Sequence, residues 1–254
     1  MADTPVITLL TDFGTSDPYV AEIKGVLTSR AGGSPLVDLS HGVPPGQVRT
    51  AAYLLGRAWH RFPAGTVHLV VVDPGVGTDR RALALAAHGH WFVAPDNGVL
   101  SPILDPDVIP WVLPVPVAAA PTFHGRDLFA PAAAALAVGA SLSTLGTPLV
   151  GAPVTLRVTA PHYEGKAIIG EVIHVDRFGN LITSLTPELV PPYAVLEVES
   201  LVIGPLRQTF GDVPRGELLA YCGSGGEIEI AVRDGSAATR LGIGVGGRVV
   251  ARLG

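Results

Sequence analysis

Over its first 150 residues the chain alternates short apolar runs with stretches of helical pattern. This rhythm constrains the fold more than any other feature. Residues 6–11 read as a buried strand ending in Asp12-Phe13-Gly14, and 17–30 as a helix. Residues 35–39 read as a second strand. A helix runs through 51–60 with Pro45 near its first turn, where a missing N–H costs little. Residues 67–72, β-branched at most positions, stop abruptly at Asp73-Pro74-Gly75. Residues 83–87 and 91–94 flank His88-Gly89-His90 as a hairpin, and alanine-rich 127–138 reads as a helix. Strands alternating with helices predict a Rossmann-like α/β domain whose mostly parallel sheet is covered on both faces.

After Gly151 the texture changes. Residues 154–159, 167–175, 194–198, 218–222, 228–232 and 248–253 are short strand candidates at fairly even spacing, separated by Gly, Pro and Asp. That pattern predicts a small all-β barrel. The boundary falls in the loop-like stretch 151–163, giving an α/β domain over 1–155 and a β-barrel domain over 156–254. With 48% hydrophobic and 15% charged residues the chain can bury a core in each. A net charge of −5 argues against a partner gripped through a nucleic-acid backbone, which calls for a basic stripe. The single cysteine, Cys222, excludes an internal disulfide and a cysteine zinc site. No basic-then-apolar leader opens the sequence, and no stretch reaches the ~18 uninterrupted apolar residues of a membrane helix. A cytoplasmic protein without a membrane partner is therefore expected.

Ligands of open α/β sheets bind at the carboxyl ends of the strands. Three loops leave such ends carrying acids: Thr11-Asp12-Phe13-Gly14, Asp73-Pro74-Gly75-Val76-Gly77-Thr78 and Ala94-Pro95-Asp96-Asn97-Gly98. A carboxylate there can accept both hydrogen bonds of a ribose diol, although any single Asp in such a place more often caps a turn. Gly75-Val76-Gly77 lacks the Lys-Ser/Thr ending of a phosphate loop. Arg80 and Arg81 follow it, so a guanidinium can meet a carboxylate over a small pocket, or form a surface ion pair of little worth. His124 leads the alanine-rich helix, where it can touch a ligand or merely cap. His88 and His90 have the spacing of two ligands from one strand, but no further cluster completes a metal site, and none is expected. His41, His60, His68, His162 and His174 are scattered and read as structural. In Asp176-Arg177-Phe178-Gly179-Asn180 a plain turn accounts for Gly179 and Asn180 but leaves Phe178 unexplained. An adenine site would use Phe178 as a stacking face and Asn180 as paired donor and acceptor. The turn Cys222-Gly223-Ser224-Gly225-Gly226 brings amides and a hydroxyl to an anionic group.

Four fragments occur in order: Thr8-Leu9-Leu10-Thr11-Asp12-Phe13-Gly14, Val72-Asp73-Pro74-Gly75-Val76-Gly77-Thr78, Phe123-His124-Gly125-Arg126-Asp127-Leu128-Phe129-Ala130-Pro131 and Asp176-Arg177-Phe178-Gly179-Asn180-Leu181-Ile182-Thr183. Together they resemble the S-adenosyl-L-methionine (SAM) hydrolases, also called SAM hydroxide adenosyltransferases, relatives of the SAM-dependent fluorinase and chlorinase. The resemblance implies conversion of SAM and water to adenosine and L-methionine with no cofactor, SAM being the substrate. It implies an amino-terminal α/β domain, a carboxy-terminal β-barrel, and a homotrimer with active sites between neighbouring subunits. By that similarity Asp73, Arg80 and His124 handle the attacking water and Asp12 binds the ribose. Phe178 and Asn180 hold the adenine, with Phe210 as a second stacking face. Asp17, Asp176 and Ser224 hold the methionine part, and Tyr221, Glu229 and the backbone at Val232 complete the substrate site.

This chemistry makes sense without a metal. The sulfonium leaves as a neutral thioether, so what must be supplied is an oxygen nucleophile in line with the C5′–S bond. A carboxylate, an arginine and a histidine around one water can orient it and take its proton. Two rival readings remain open. A halogenase has a non-acidic residue where this chain has Asp73 and a serine where it has Gly125; an acid would repel a halide. A tryptophan of the halogenases is replaced here by Gly46. A non-catalytic adenosine- or SAM-binding protein would need Asp12, Phe178 and Asn180 but not the other three.

Overall fold

The computed structural model describes residues 4–157 and 159–254, and the chain divides into two compact units, Met1–Leu156 and Arg157–Gly254. In the first unit the elements run β1 (Ile7–Thr11), α1 (Tyr19–Arg30), β2 (Leu36–Ser40), α2 (Val48–Ala58), β3 (Val67–Val71), β4 (Ala82–Ala87), β5 (His90–Pro95) and β6 (Trp111–Leu113). A π-helical turn (Gly125–Phe129) then leads into α3 (Ala130–Ala137), α4 (Leu142–Leu145) and β7 (Thr147–Pro148). The sheet order is β2-β1-β3-β5-β4-β6-β7. β2, β1, β3 and β5 are parallel; β4 opposes β5, β6 opposes β4, and β7 opposes β6. Most strands thus point one way. β1 and β3 are buried at every position, as strands covered on both faces must be. Their side chains alternate between two cores: Ile7, Leu9, Leu69 and Val71 pack with α1 and α3, whereas Leu10, Val70 and Val72 pack with α2.

The second unit contains β8 (His162–Glu164), β9 (Ala167–Val175), β10 (Leu181–Thr183), β11 (Val195–Val198), β12 (Leu201–Arg207), β13 (Leu218–Cys222), β14 (Ile228–Val232), α5 (Ala237–Leu241) and β15 (Arg248–Arg252). Seven strands, β10-β14-β13-β12-β11-β15-β9, close into a barrel through the β9–β10 pairing, and β8 extends from β9. Inward-facing Ile168, Val172, Leu196, Ile230 and Val249 fill the interior. Closure leaves few unpaired edges in a unit too small for a second layer.

Several local expectations need correction. The alanine-rich helix begins at Ala130, not 127, because the preceding turn is π-helical. The second helix begins at Val48, ahead of the expected 51, and Pro45 stands two residues before its N-cap Gln47. Of the expected strand 154–159, Thr155 makes a lone bridge to Gly98, while Val158 lies outside the described residues. β12 was not expected; Gly204 and Pro205 lie within it, and its pairing with β11 shifts register there.

Candidate active site

β1, β3 and β5 are adjacent and parallel, so the loops carrying Asp12, Asp73 and Asp96 emerge at one edge of the sheet. Their carboxylates do different work. Asp96 accepts from Arg81 Nε at 2.6 Å and from the Val154 amide at 2.8 Å, which pins the chain leaving the first sheet. Asp12 and Asp73 instead line a cavity of about 430 Å³, together with His124 and the rings of Phe13, Tyr19 and Phe123. Those rings meet edge to face with centroids 5.4–6.0 Å apart and form one apolar corner of the cavity.

Behind the cavity Arg80 joins Asp73 to His124. Its Nε donates to Asp73 Oδ1 at 2.9 Å and Oδ2 at 3.0 Å, and its Nη2 also contacts Oδ2. The pair is almost dry, with side chains 9% and 5% exposed, so it is not the surface ion pair that the sequence left open. Nη2 lies 3.0 Å from His124 Nδ1, and the guanidinium carbon stands 5.0 Å over the Phe129 ring. A guanidinium can only donate, so Nδ1 accepts and the neutral ring carries its proton on Nε2. Burial, then the positive Arg80, hold the His124 imidazole below its ordinary range, with Asp73 and Asp127 opposing them. The result is one carboxylate acceptor and one N–H donor presented together by a fixed guanidinium. His124 is the N-cap of the π-helical turn but makes no side-chain cap.

Asp12 accepts from the Gly46 amide through Oδ2 at 2.8 Å, so the residue that replaces the halogenase tryptophan contributes its backbone. At Gly125 a Cβ would stand 3.2–3.3 Å from Ile23, Phe123 and Val71, leaving little room for a serine. Asp17 lies in the exposed turn before α1, apart from the cavity wall.

In the second unit six of the eight remaining expected residues form two groups. Asp176 Oδ1 accepts from the amides of Phe178 (2.9 Å) and Asn180 (2.8 Å), and Oδ2 accepts from Asn180 Nδ2 (2.9 Å). This holds Asn180 buried and leaves Phe178 77% exposed. Gly179 has φ +82°, and a Cβ there would come within 2.0 Å of Ser236 Oγ, so only glycine closes this loop. Tyr221 and Glu229 are register partners on β13 and β14, and the phenol donates to Glu229 Oε2 at 2.5 Å. Burial first, then Glu229 and Asp176, push the Tyr221 phenol far above its ordinary range. Phe210 packs 5.0 Å from Tyr221. Ser224 is exposed in the β13–β14 turn, and the Val232 side chain is buried in the barrel core.

His88 stacks on Trp59 at 5.0 Å, and His90 Nδ1 lies 3.3 Å from His68 Nε2. Among the described residues no group of three or more His, Cys, Asp or Glu is placed to hold a metal ion, and no helix is long and apolar enough to cross a membrane. The sequence reading missed the cavity roles of Phe13, Tyr19, Glu22 and Phe123. Phe13 and Phe123 lie inside two of the four motifs, a usable signal; Tyr19 and Glu22 sit on α1 with no motif to mark them.

The SAM hydroxide adenosyltransferase N-terminal domain matches residues 7–146, and the C-terminal domain matches residues 170–250. An (R)-S-adenosyl-L-methionine hydrolase of Thermus thermophilus is 48% identical, over 92% of this chain and 94% of its own. A fluorinase of Actinoplanes sp. is 27% identical, covering 89% and 90%. The crystal structure of an uncharacterized conserved protein from Thermotoga maritima superposes with a TM-score of 0.88 at 34% identity, covering 97% of this chain and all of that one.

Proposed function

The chain belongs to the SAM hydroxide adenosyltransferase family, and from that premise we propose that it hydrolyses S-adenosyl-L-methionine to adenosine and L-methionine. The observation that carries the reading is the buried Asp73–Arg80–His124 array at the wall of the cavity. In this scheme a water bound at the array donates to the Asp73 carboxylate and accepts from His124 Nε2–H. As the water oxygen bonds to C5′, the C5′–S bond breaks and its electron pair neutralises the sulfonium, releasing the methionine thioether. The surplus proton on the new 5′-oxygen passes to Asp73 and on to solvent. In this scheme His124 orients the nucleophile as a donor rather than taking its proton, because Arg80 occupies the other ring nitrogen.

Asp12 would bind the ribose diol, Phe178 and Asn180 the adenine with Phe210 beside it, and Asp17, Asp176 and Ser224 the methionine end. Tyr221, Glu229 and the Val232 backbone complete the substrate contacts. No metal or cofactor is assigned, since the leaving group needs no acid. The (R) epimer at sulfur is the assigned substrate, on the relative's name. A homotrimer with sites between subunits, acting in the cytoplasm on a small molecule alone, belongs to the same proposal and rests on family membership.

The test is incubation of the EDTA-treated protein with SAM in H₂¹⁸O. Adenosine and methionine in equal amounts, with ¹⁸O in the adenosine 5′-hydroxyl, are expected. Bound SAM that stays intact would make the protein a binder. A 5′-halogenated adenosine formed on adding halide would make it a halogenase. Activity that returns only with zinc or magnesium would overturn the metal-free scheme.

A further inference from the structure

His41 stands apart from the catalytic group, yet it reaches the loop that carries Asp12. Its Nδ1 lies 2.8 Å from the hydroxyl of Thr11, which is fully buried. That hydroxyl in turn accepts from the Phe13 amide at 3.3 Å, so Thr11 bridges the histidine to the far side of Asp12. The backbone carbonyl of His41 accepts from the Gly14 amide at 2.8 Å. Five residues further on, Gly46 donates to Asp12 Oδ2. Three contacts thus tie 41–46 to 11–14 around one carboxylate. On its outer side, His41 Nε2 lies 3.1 Å from Asp38 Oδ1, and Asp38 Oδ2 accepts from Lys24 Nζ at 2.7 Å. Partial burial works against the Asp38 charge, but Lys24 and His41 hold its carboxyl below the ordinary range. Nε2 approaches the Asp38 carboxylate without hydrogen-bond geometry, so the contact that ties the ring to the Asp12 loop is the one between Nδ1 and the Thr11 hydroxyl.

We propose that His41 is a positioning residue for substrate binding: through Thr11 and its own loop it fixes the Asp12 carboxylate where a ribose diol is held. The inference rests on the assignment of Asp12 to the ribose. A solely structural histidine would stabilise the unit without favouring any one ligand group. A positioning histidine acts only through Asp12, and a double-mutant cycle separates the two.

Adenosine affinity is measured by calorimetry for the parent, His41→Leu, Asp12→Ala and the double variant, and for Thr11→Val as a gentler break of the same chain. His41→Leu and Thr11→Val are each expected to weaken adenosine by about tenfold, the scale of one well-placed hydrogen bond. They should raise KM for SAM similarly with kcat within about twofold. In the Asp12→Ala background the further loss should shrink to less than about twofold. His41→Gln, which keeps an acceptor, should recover part of the affinity. A crystal structure of Thr11→Val without ligand should show the Asp12 carboxylate turned away from the Gly46 amide. Equal losses in both backgrounds, or parental affinity in both His41→Leu and Thr11→Val, would overturn the proposal. If Asp12→Ala alone binds adenosine like the parent, it is the ribose assignment that fails, and the orientation of Asp12 in Thr11→Val then decides the positioning claim by itself.

Discussion

Replacing Asp73 by asparagine keeps the shape of the side chain but removes the charge that Arg80 is bound to. The guanidinium is then left in a site where its side chain is 9% exposed and its Nη1 already has no hydrogen-bond partner among the described residues. Breaking a buried pair by removing one partner costs about 3–5 kcal/mol. The amide retains one acceptor oxygen for Nε, and Nη2 keeps its contact with His124 at 3.0 Å, so we place Asp73→Asn at about 2–3 kcal/mol. For a unit of this size that lowers the melting temperature by about 4–12 °C. The same change should lower kcat by at least about a hundredfold, because the water loses its charged acceptor. Asp73→Leu combined with Arg80→Met removes both charges, and stability should return to within about 1–2 kcal/mol of the parent while turnover stays lost. Thermal melts and urea titrations of the three proteins, with initial rates of adenosine release, carry the test. A single variant that melts like the parent, or a double variant less stable than the single one, would refute the reasoning about the pair. An Asp73→Asn enzyme with parental kcat would refute its role in the reaction.

Because the His124 imidazole is held below its ordinary 6.5 and works as the neutral donor, kcat/KM should stay level from pH 8 down past 6.5 and fall only below it. An acid limb centred at or above 6.5 that vanishes in His124→Gln would contradict this. Burial and the neighbouring His90 lower His68 from 6.5 to about 3, so the unfolded chain binds its proton first. Its contribution is complete above pH 6.5 and drains as pH falls toward about 3, at up to about 1.4 kcal/mol per pH unit. His68→Gln should therefore flatten the acid side of the stability curve, which urea titrations at pH 4–7 would show. Gly179→Ala forces a Cβ against Ser236 at a φ of +82°, so the Asp176 loop should open and adenosine affinity fall by at least about tenfold. Parental affinity by calorimetry would detach that loop from the adenine site.

The two textures of the chain were legible because each element type wrote its own period. β1 and β3 are short, mostly apolar, buried at every position and ended by acid–glycine turns, which is what burial on two faces demands. The hairpin at His88-Gly89 was legible from a glycine between two apolar runs, and both residues do take positive φ. β12 escaped because Gly204 and Pro205 look like punctuation, yet β12 pairs with β11 and β13 despite them. The site was legible only where a motif marked it. Asp73, Arg80 and His124 are separated by up to 51 residues, and nothing in their spacing shows that Arg80 reaches both others. Such a contact depends on how β3 and the π-helical turn converge, a tertiary fact without a local signature.

Neighbouring acids at the same sheet edge supply an internal comparison. Arg81 binds Asp96 much as Arg80 binds Asp73, but the Arg81 side chain is 35% exposed and its Nη2 ends on the Ala152 carbonyl. That pair fastens one segment to another, and water still reaches it. Among the described residues the Arg80 side chain bonds only within the site, its partners being Asp73, His124 and the Phe129 ring. A buried pair is weak as a source of stability, since well-packed apolar residues would do as well. What it supplies, and apolar residues cannot, is a carboxylate kept in place without water and an imidazole held in one tautomer. Those are the two functions an in-line attack by water requires. On the proposed reaction, the dry pair serves the chemistry rather than the fold.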